Sequence, residues 1–228
     1  MSLTDRAMTR LRELIQSGEL PPGSRLPPEQ QLATELGVGR NIMREAVRAL
    51  VAARVLEVRR GNGTFVTSLQ PRVLLEGIGG AVELLQGDTM LELTEVRRLF
   101  EAAATGLAAT RISPRQLAEV KDHLEAMRAA ADDVELLNQH DLAFHRAVVA
   151  ATGNETLSTV LDGISSRTLR ARVWRGLVDA DAAGRTLREH EAIYLALAAG
   201  DAIQAQAAAL MHITTTENWL RTRLPEER

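Results

Sequence analysis

The sequence predicts a mostly α-helical protein built from two domains, with β-structure limited to one short hairpin. Three observations lead to this prediction. The 228 residues are enough for two domains of ordinary size. Apolar residues recur at helical spacing through most of the chain, and alternation typical of strands is confined to residues 55–67. We expect a first domain over residues 1–68, a linker over 69–75, and a second, all-α domain over 76–228.

The first domain is predicted to begin with an amphipathic helix over residues 3–17, which Gly18 ends. A second helix is predicted over residues 29–36, with Gly37 placed for a left-handed cap, and a third over 40–53. Two helices joined by so short a turn make a helix-turn-helix. The inner face of the third helix is predicted from Ile42, Ala46, Val47 and Leu50.

A two-stranded hairpin is predicted directly after the third helix. Residues 55–60 alternate in the manner of a strand, 61–63 read Gly-Asn-Gly, and 64–67 are β-prone again. Helices and hairpin together make a winged helix-turn-helix domain. Its third helix can enter the major groove of duplex DNA, where arginine and asparagine can read base edges. The alternative interpretation is that the arginines of this helix only form a solvated surface.

Charge is divided unevenly along the chain, although the net charge is only −3. Residues 1–70 contain 10 arginines and 7 acidic residues, a balance of +3, which leaves 17 basic and 23 acidic residues and a balance of −6 beyond them. The basic part can neutralise phosphates. The chain has no cysteine, no apolar run near ~20 residues and no signal peptide, so we expect a cytoplasmic protein without disulfides or a membrane span.

The winged segment resembles that of the GntR family of bacterial regulators. The matching residues are Pro21, Pro22, Gly23, Ser24, Arg25, Leu26, Pro27, Glu29, Leu32, Ala33, Gly37, Val38, Arg40, Arg44, Glu45 and Ala46. The chain departs from the family at Gly39, where Ser or Thr is usual, and at Gln30, where Arg is frequent. The resemblance implies a DNA-binding transcriptional regulator. The DNA contacts that it implies are Arg25, Gln30, Arg40, Asn41, Arg44, Arg60 and Gly61.

The second domain is predicted as an antiparallel bundle of about seven helices, because its loops are short and it lacks a credible strand. This excludes the GntR branch whose effector domain is rich in β-structure. The first two predicted helices cover 71–86 and 88–111, the second with Asp88 as cap, and a third begins at Ser113 as cap with Pro114 next. The others cover 133–151, 154–174 with Asn154 as cap, 181–199 with Asp181 as cap, and 201–221.

Three of the five histidines, His145, His190 and His212, lie on apolar faces of predicted helices. Asp141 precedes His145 by four residues, so the two share a face. A carboxylate buried among apolar residues needs a partner. Three imidazoles and that carboxylate can satisfy one another by coordinating a divalent metal. The alternative is that each histidine is a hydrogen-bonded core residue.

Residues 90–222 resemble the FCD effector domain of the FadR subfamily. Its metal-binding branch carries an Asp, a His four residues later, and two later His, a pattern that Asp141, His145, His190 and His212 match. His123 and His140 lie outside it. The resemblance implies a divalent metal, for which zinc is the first candidate and nickel, manganese or iron are alternatives.

The segment 95–101 resembles the Arg and Glu signature of the family's cavity-lining helix. Arg97 could clamp a carboxylate effector bidentately beside the metal; the alternative is an ion pair with Glu101. Asn154 matches another family position, although helix capping explains it equally well. The resemblance further implies a homodimeric repressor that binds a pseudo-palindromic operator and responds to a small organic acid.

Two rival functions remain open. Three histidines with an open coordination position also describe a catalytic zinc, with Glu191 as a conceivable base, although the sequence has no HExxH motif. The metal could instead be structural, or itself the signal. A fused pyridoxal-phosphate-dependent aminotransferase, another variant of the family, is excluded by length and by the single lysine, Lys121.

Overall fold

A computed structural model describes residues 1–85 and 89–223. The chain forms two compact units, Met1–Glu76 and Gly77–Arg228. The first contains helices α1 (Leu3–Gln16), α2 (Glu29–Glu35), α3 (Arg40–Ala52) and α4 (Pro71–Leu74), with strands β1 (Leu56–Arg59) and β2 (Gly63–Val66). The second contains α5 (Gly77–Glu83), α6 (Met90–Ala109), α7 (Pro114–Ala129), α8 (Val134–Ala150), α9 (Glu155–Val178), α10 (Ala182–Ala198) and α11 (Ala202–Arg223). The predicted fold class, a winged helix-turn-helix followed by a helical bundle, is confirmed.

The helix-turn-helix forms largely as its local sequence predicts. Gly37 ends α2 with a φ of +64°, the left-handed conformation that glycine adopts without strain. Met43, and not the predicted Ile42, lies at the centre of the buried face of α3; Met43 is fully buried and Ile42 half-buried. Residue 43 continues the three- and four-residue spacing of the buried stripe that includes Ala46 and Leu50, whereas residue 42 lies about 100° away around the helix.

The wing is a hairpin in which β1 and β2 pair antiparallel, with Arg59 opposite Gly63. The turn closes through a hydrogen bond from the Asn62 amide to the Arg59 carbonyl (2.8 Å), and Gly61 has a φ of +73°. The Arg59 guanidinium lies 4.2 Å from the centroid of the Phe65 ring. Both strands of the hairpin are therefore held by cross-strand side chains as well as by the backbone ladder.

The predicted single helix over residues 71–86 is wrong, because two short helices, α4 and α5, occupy its described part. Leu75 ends α4 outside helical geometry, and α5 begins at Gly77. The break lies at Leu75 and Glu76, and Gly77, Gly79 and Gly80 lie inside the helix that follows it. Glycine is a poor helix former, so these three residues lower the stability of α5. The predicted cap Asp88 and the end at Gln86 lie outside the described residues.

The later helices begin at capping residues. Ser113 forms a capping box with Gln116, and the side chains of Asp133 and Asn154 accept hydrogen bonds from the first turns of α8 and α9. α9 continues to Val178, one turn beyond the predicted end.

Helices α6 and α11 pack together closely. A Cβ atom added to Gly106 would lie 2.9 Å from the Ala202 carbonyl oxygen, and Arg98 Nε binds Glu217 Oε2 at 2.8 Å towards the other end of the contact. None of the described helices is long and apolar enough to span a lipid bilayer.

Candidate functional site

The residues predicted to bind DNA lie in the first unit, and most are exposed. Arg40 and Asn41 occupy the first two positions of α3, and Gln30 lies on α2; all three are exposed. Arg44 is half-buried, and its Nε donates to Glu29 Oε2 at 3.3 Å. The ion pair fixes the direction of the Arg44 side chain relative to α2.

The wing contributes the remaining predicted contacts. Arg60 and Gly61 are exposed at the hairpin turn. Arg25 forms an isolated β-bridge with Phe65, and its Nε would lie 2.9 Å from a Cβ atom added to Gly63. Glycine at position 63 therefore leaves room for the Arg25 guanidinium to lie against the wing.

Four predicted metal ligands come together in the second unit. Asp141 and His145 lie on α8, His190 on α10 and His212 on α11. One potential ligand atom from each of the four lies within 4.8 Å of every other, and all four residues are buried. Chain positions up to 71 residues apart thus converge on one small volume.

The distances inside the cluster fit coordination by a single ion. His145 Nε2 lies 3.2 Å from His212 Nε2, and Asp141 Oδ1 lies 3.0 Å from His190 Nε2 and 3.7 Å from His145 Nε2. Ligands at ~2.0–2.2 Å from one zinc ion in tetrahedral or similar geometry are separated by roughly 3 to 3.5 Å.

Each imidazole is oriented by a partner at Nδ1. His190 Nδ1 donates to the Thr186 carbonyl (2.8 Å), His212 Nδ1 donates to Glu189 Oε2 (2.8 Å), and His145 Nδ1 faces Glu101 Oε2 at 3.4 Å. The two hydrogen bonds place the ring protons of His190 and His212 on Nδ1, which leaves their Nε2 lone pairs free, and the nearby Glu101 carboxylate favours the same arrangement for His145.

The orphaned atoms of the cluster also fit a cation. Asp141 Oδ1 and His190 Nε2 are buried without a hydrogen-bond partner among the described residues, although they face each other. With its proton on Nδ1, His190 has no hydrogen at Nε2 to donate, so two lone pairs meet. A buried polar atom without a partner is costly, and an ion between the two would satisfy both.

The electrostatic environment favours the protonation states that bind metal. Burial lowers the pKa of His145, and burial together with His190 and His145 lowers the pKa of His212 well below its usual value. Burial opposes ionisation of Asp141, but Arg172 and the adjacent imidazoles outweigh it and hold the pKa of that carboxyl well below its usual value. Neutral imidazole and ionised carboxylate are the forms that coordinate metals.

Arg97, predicted to bind an effector, forms a buried bidentate ion pair with Glu101. Arg97 Nε lies 2.7 Å from Glu101 Oε1, and Arg97 Nη2 lies 2.9 Å from Glu101 Oε2. Arg97 is 2% exposed. Burial opposes both charges, but each partner offsets it: the pKa of Arg97 is raised, and Arg97 and His145 lower the pKa of Glu101 to about 2. The structure therefore shows the alternative contact that the sequence left open.

Two arginines of α9 that were not predicted lie beside the cluster of Asp141, His145, His190 and His212. Arg172 binds Asp141 Oδ2 through one guanidinium nitrogen, while its Nε and other terminal nitrogen are buried without a hydrogen-bond partner in the described parts of the chain. Arg175 donates to Thr216 Oγ1 at 2.9 Å. Both arginines, Asp141 and His212 line one cavity of about 30 Å³, room for about two water molecules.

The helical pattern contained a signal for these arginines. The buried stripe of α9 includes Leu161, Ile164 and Thr168, and Arg172 and Arg175 continue it at the same three- and four-residue spacing. Arginines on helices usually lie at the surface, which makes this signal easy to miss.

Other predicted or considered residues lie apart from this cavity. Asn154 is exposed, and its side chain caps α9 by accepting from the Leu157 amide (3.0 Å). His123 and His140 face each other with ring centroids 6.3 Å apart and do not belong to the cluster. Glu191, the conceivable base of a metalloenzyme, is half exposed and binds Arg128 at 2.8 Å.

Two protein-family models match the chain. The model described as bacterial regulatory proteins, gntR family, matches residues 3–66, and the FCD domain model matches residues 92–215. The first covers the winged helix-turn-helix, and the second covers all four residues of the Asp/His cluster.

Similar proteins of known name match nearly the whole chain. It is 34% identical to the transcriptional regulator LutR of Bacillus subtilis, over 91% of this chain and 96% of that protein. It is also 34% identical to the galactonate operon transcriptional repressor of Escherichia coli, over 97% and 98%, and 32% identical to the putative L-lactate dehydrogenase operon regulatory protein of the same organism, over 93% and 84%. A solved GntR structure from Streptococcus agalactiae has a TM-score of 0.69 and 29% identity, covering 95% of this chain and 99% of that one.

Proposed function

Because this chain belongs to the GntR family of bacterial regulatory proteins and carries an FCD domain, we propose that it is a metal-dependent, acid-responsive repressor of the FadR subfamily. It binds a pseudo-palindromic operator as a homodimer. Residues 1–68 bind the DNA, 69–75 form the linker, and 76–228 bind the effector and dimerise. The observation that carries the effector part is the convergence of three Nε2 atoms and one carboxylate oxygen beside a buried arginine with unpartnered donors.

Asp141, His145, His190 and His212 would hold the metal, and three nitrogen ligands with one oxygen ligand make zinc the first candidate. When bound, the ion supplies a Lewis-acidic position for an oxygen of the effector. Glu101 and Glu189 orient two of the imidazoles through Nδ1, and the Thr186 carbonyl orients the third.

Arg172 is better placed than Arg97 to bind the effector carboxylate. The guanidinium fork of Arg97 is occupied by Glu101, whereas two nitrogens of Arg172 have no partner among the described residues and the side chain lines the same cavity as Asp141 and His212. An arginine binds a carboxylate through two parallel hydrogen bonds, and burial strengthens them. Asn154 is exposed at the start of α9, and its side chain is used to cap that helix, so we do not assign it to the effector site.

The class of effector follows from the chemistry of the site and from the relatives. An acid with an oxygen on the carbon next to its carboxylate can reach a metal and an arginine together. Two relatives are named for a galactonate operon and an L-lactate dehydrogenase operon. Galactonate and lactate are both hydroxycarboxylates, which supports a hydroxycarboxylate effector for this chain. The ligand is expected to change DNA affinity through its differential affinity for two arrangements of the helical domain.

The proposal is tested by metal analysis of the purified protein, followed by thermal-shift measurements with glycolate, L-lactate and D-galactonate, with and without a chelator. One ion per chain and a shift that disappears on chelation are expected. DNA binding that responds to chelation but to no acid would support the metal as the signal. Turnover of an acid by the metal-loaded protein would instead support a metalloenzyme.

Arg172→Gln is expected to weaken binding of the acid that gives the largest thermal shift by roughly 10- to 100-fold, because a charge-assisted pair worth ~1.5–3 kcal/mol is lost. Metal content should remain near the wild-type value, since glutamine can still donate to Asp141. Calorimetric titration of the metal-loaded proteins measures the effect. Arg170→Gln, on the same helix but exposed, is the matched control, and equal weakening in both variants would refute the assignment.

Arg40→Ala is expected to lower affinity for duplex DNA selected by the wild-type protein from random sequences. Loss of a base contact at the start of α3 should cost ~1–3 kcal/mol, about 5- to 150-fold in Kd at fixed salt. Metal content should not change, because Arg40 lies in the other unit. Arg12→Ala, an exposed position on α1, controls for charge alone, and an equal loss in that variant would show that Arg40 contributes only non-specific attraction.

A further inference from the structure

Helices α6 and α11 share an exposed apolar surface that lies outside the metal and DNA sites. Leu99 is 57% exposed, Phe100 49%, Ile203 82% and Leu210 39%. Ala103 and Ala207 are exposed between them, and Leu107 is half-buried. We call these seven residues the α6–α11 face.

The packing of the two helices places these residues side by side. Gly106 lies against Ala202, and Arg98 binds Glu217, so the helices run antiparallel in a defined register. In that register Leu107 is level with Ile203, Ala103 with Ala207 and Leu99 with residues one turn further along α11. The side chains recur at three- and four-residue spacing on each helix, so each set forms one stripe.

The α6–α11 face contains no charged group. Residues 99–110 and 202–216 contain one Asp, Glu, Lys or Arg between them, Glu101, and it is buried in its pair with Arg97. A quarter of the residues in the chain are charged, so two adjacent helices with uncharged exposed faces over about three turns are unusual. Depletion of charge together with large apolar side chains is the composition of an interface core.

A second copy of the chain is the occupant that these features fit. In a two-fold pair the same patch meets itself, so any charge near the axis would face its own kind, and an uncharged face avoids this. Ala103 and Ala207 leave room for close approach of helices. At about 200 Å² for a large apolar side chain, the four exposed ones offer roughly 450 Å², over half of the ~800 Å² that each partner contributes to a standard interface.

The chain has another apolar surface, around Leu136, Trp174 and Leu177, but charged residues interrupt it. Glu135 and Arg170 line the same groove as Trp174 and Leu177. Pairing two copies there would bring those charges into the interface. The α6–α11 face is therefore the better candidate.

We propose that the helical domain dimerises through the α6–α11 face, about a two-fold axis. This inference rests on the proposed function, which requires a homodimer, and adds the surface that forms it. Because α6 also carries Arg97 and Glu101, and α11 carries His212, the buried sides of the two interface helices line or support the metal cluster.

Sedimentation of the full-length, metal-loaded protein over a range of concentrations tests the proposal. The wild-type chain should sediment at twice 24.9 kDa. Ile203→Glu should sediment as a 24.9 kDa monomer at concentrations where the wild type is dimeric, with the dimer Kd raised at least ~100-fold because the interface would bury a charge without a partner. Leu99→Glu, on the other helix, should do the same, and retained metal content confirms that both variants fold.

Two matched controls place the charge on other exposed leucines. Leu195→Glu, on α10, should leave the mass unchanged, and Leu177→Glu tests the other apolar surface. A dimer that survives Ile203→Glu and Leu99→Glu but dissociates in Leu177→Glu would overturn the α6–α11 assignment and leave the homodimer intact. A wild-type monomer at all concentrations would overturn the homodimer as well.

Discussion

Replacing His190 by alanine is expected to remove stoichiometric metal from the protein. His190 is fully buried, and its Nε2 has no partner other than the cluster among the described residues. We expect metal content to fall from about one ion per chain to near zero after dialysis. The variant should also lose stabilisation by added metal, which is about 4 kcal/mol at a free metal concentration a thousand times Kd.

The matched control is His123→Ala, which removes a half-buried histidine of the same domain that lies outside the cluster. It should retain metal and the metal-dependent increase in Tm. Elemental analysis and thermal unfolding with and without chelator measure both variants. Stoichiometric metal in His190→Ala, with an unchanged response to chelator, would show that the ion is held elsewhere.

Glu101→Leu is expected to destabilise the protein by about 3–5 kcal/mol. Arg97 is 2% exposed and makes both of its short contacts to Glu101, so the substitution leaves a buried guanidinium without its counter-charge. The variant should also bind metal about 10- to 100-fold more weakly, because His145 loses the carboxylate at Nδ1. Denaturant unfolding and metal titration measure the two effects.

The double variant Arg97→Met with Glu101→Leu separates a structural pair from an effector clamp. Replacing both charges by apolar side chains should recover most of the stability lost in the single variant. Effector binding should persist in the double variant if Arg172 is the clamp, and its loss with metal retained would return that role to Arg97. Glu95→Leu, which breaks an exposed pair with Arg98 on the same helix, should cost ~1 kcal/mol or less.

Local sequence was sufficient to predict most of the fold. Ser113, Asp133 and Asn154 cap helices because their side chains accept from the backbone amide three residues later, an interaction that needs no tertiary information. Apolar spacing over residues 71–86 predicts one helix, but its described part forms two, and the break at Leu75 and Glu76 contains neither glycine nor proline to mark it.

The residues of the Asp/His cluster could be predicted from the sequence, but the residues around them could not. An aspartate and three histidines on apolar faces are conspicuous, because polar residues at such positions need an explanation. Glu189 and Arg172 are not conspicuous, since charged residues on helices usually lie at the surface, and only the packing of α9 and α10 turns them inward. Residues that meet the cluster only through helix packing cannot be identified from the spacing of residues along the sequence.

Helix α10 is linked to its neighbours at two consecutive residues. Glu189 binds His212 of α11, while His190 faces Asp141 of α8. Sliding α10 along either neighbour by one helical turn, about 5.4 Å, would break both links together. With the proposed metal in place, a change of register along α10 would therefore be costly, and we expect the proposed ligand response to be a rotation of intact helices.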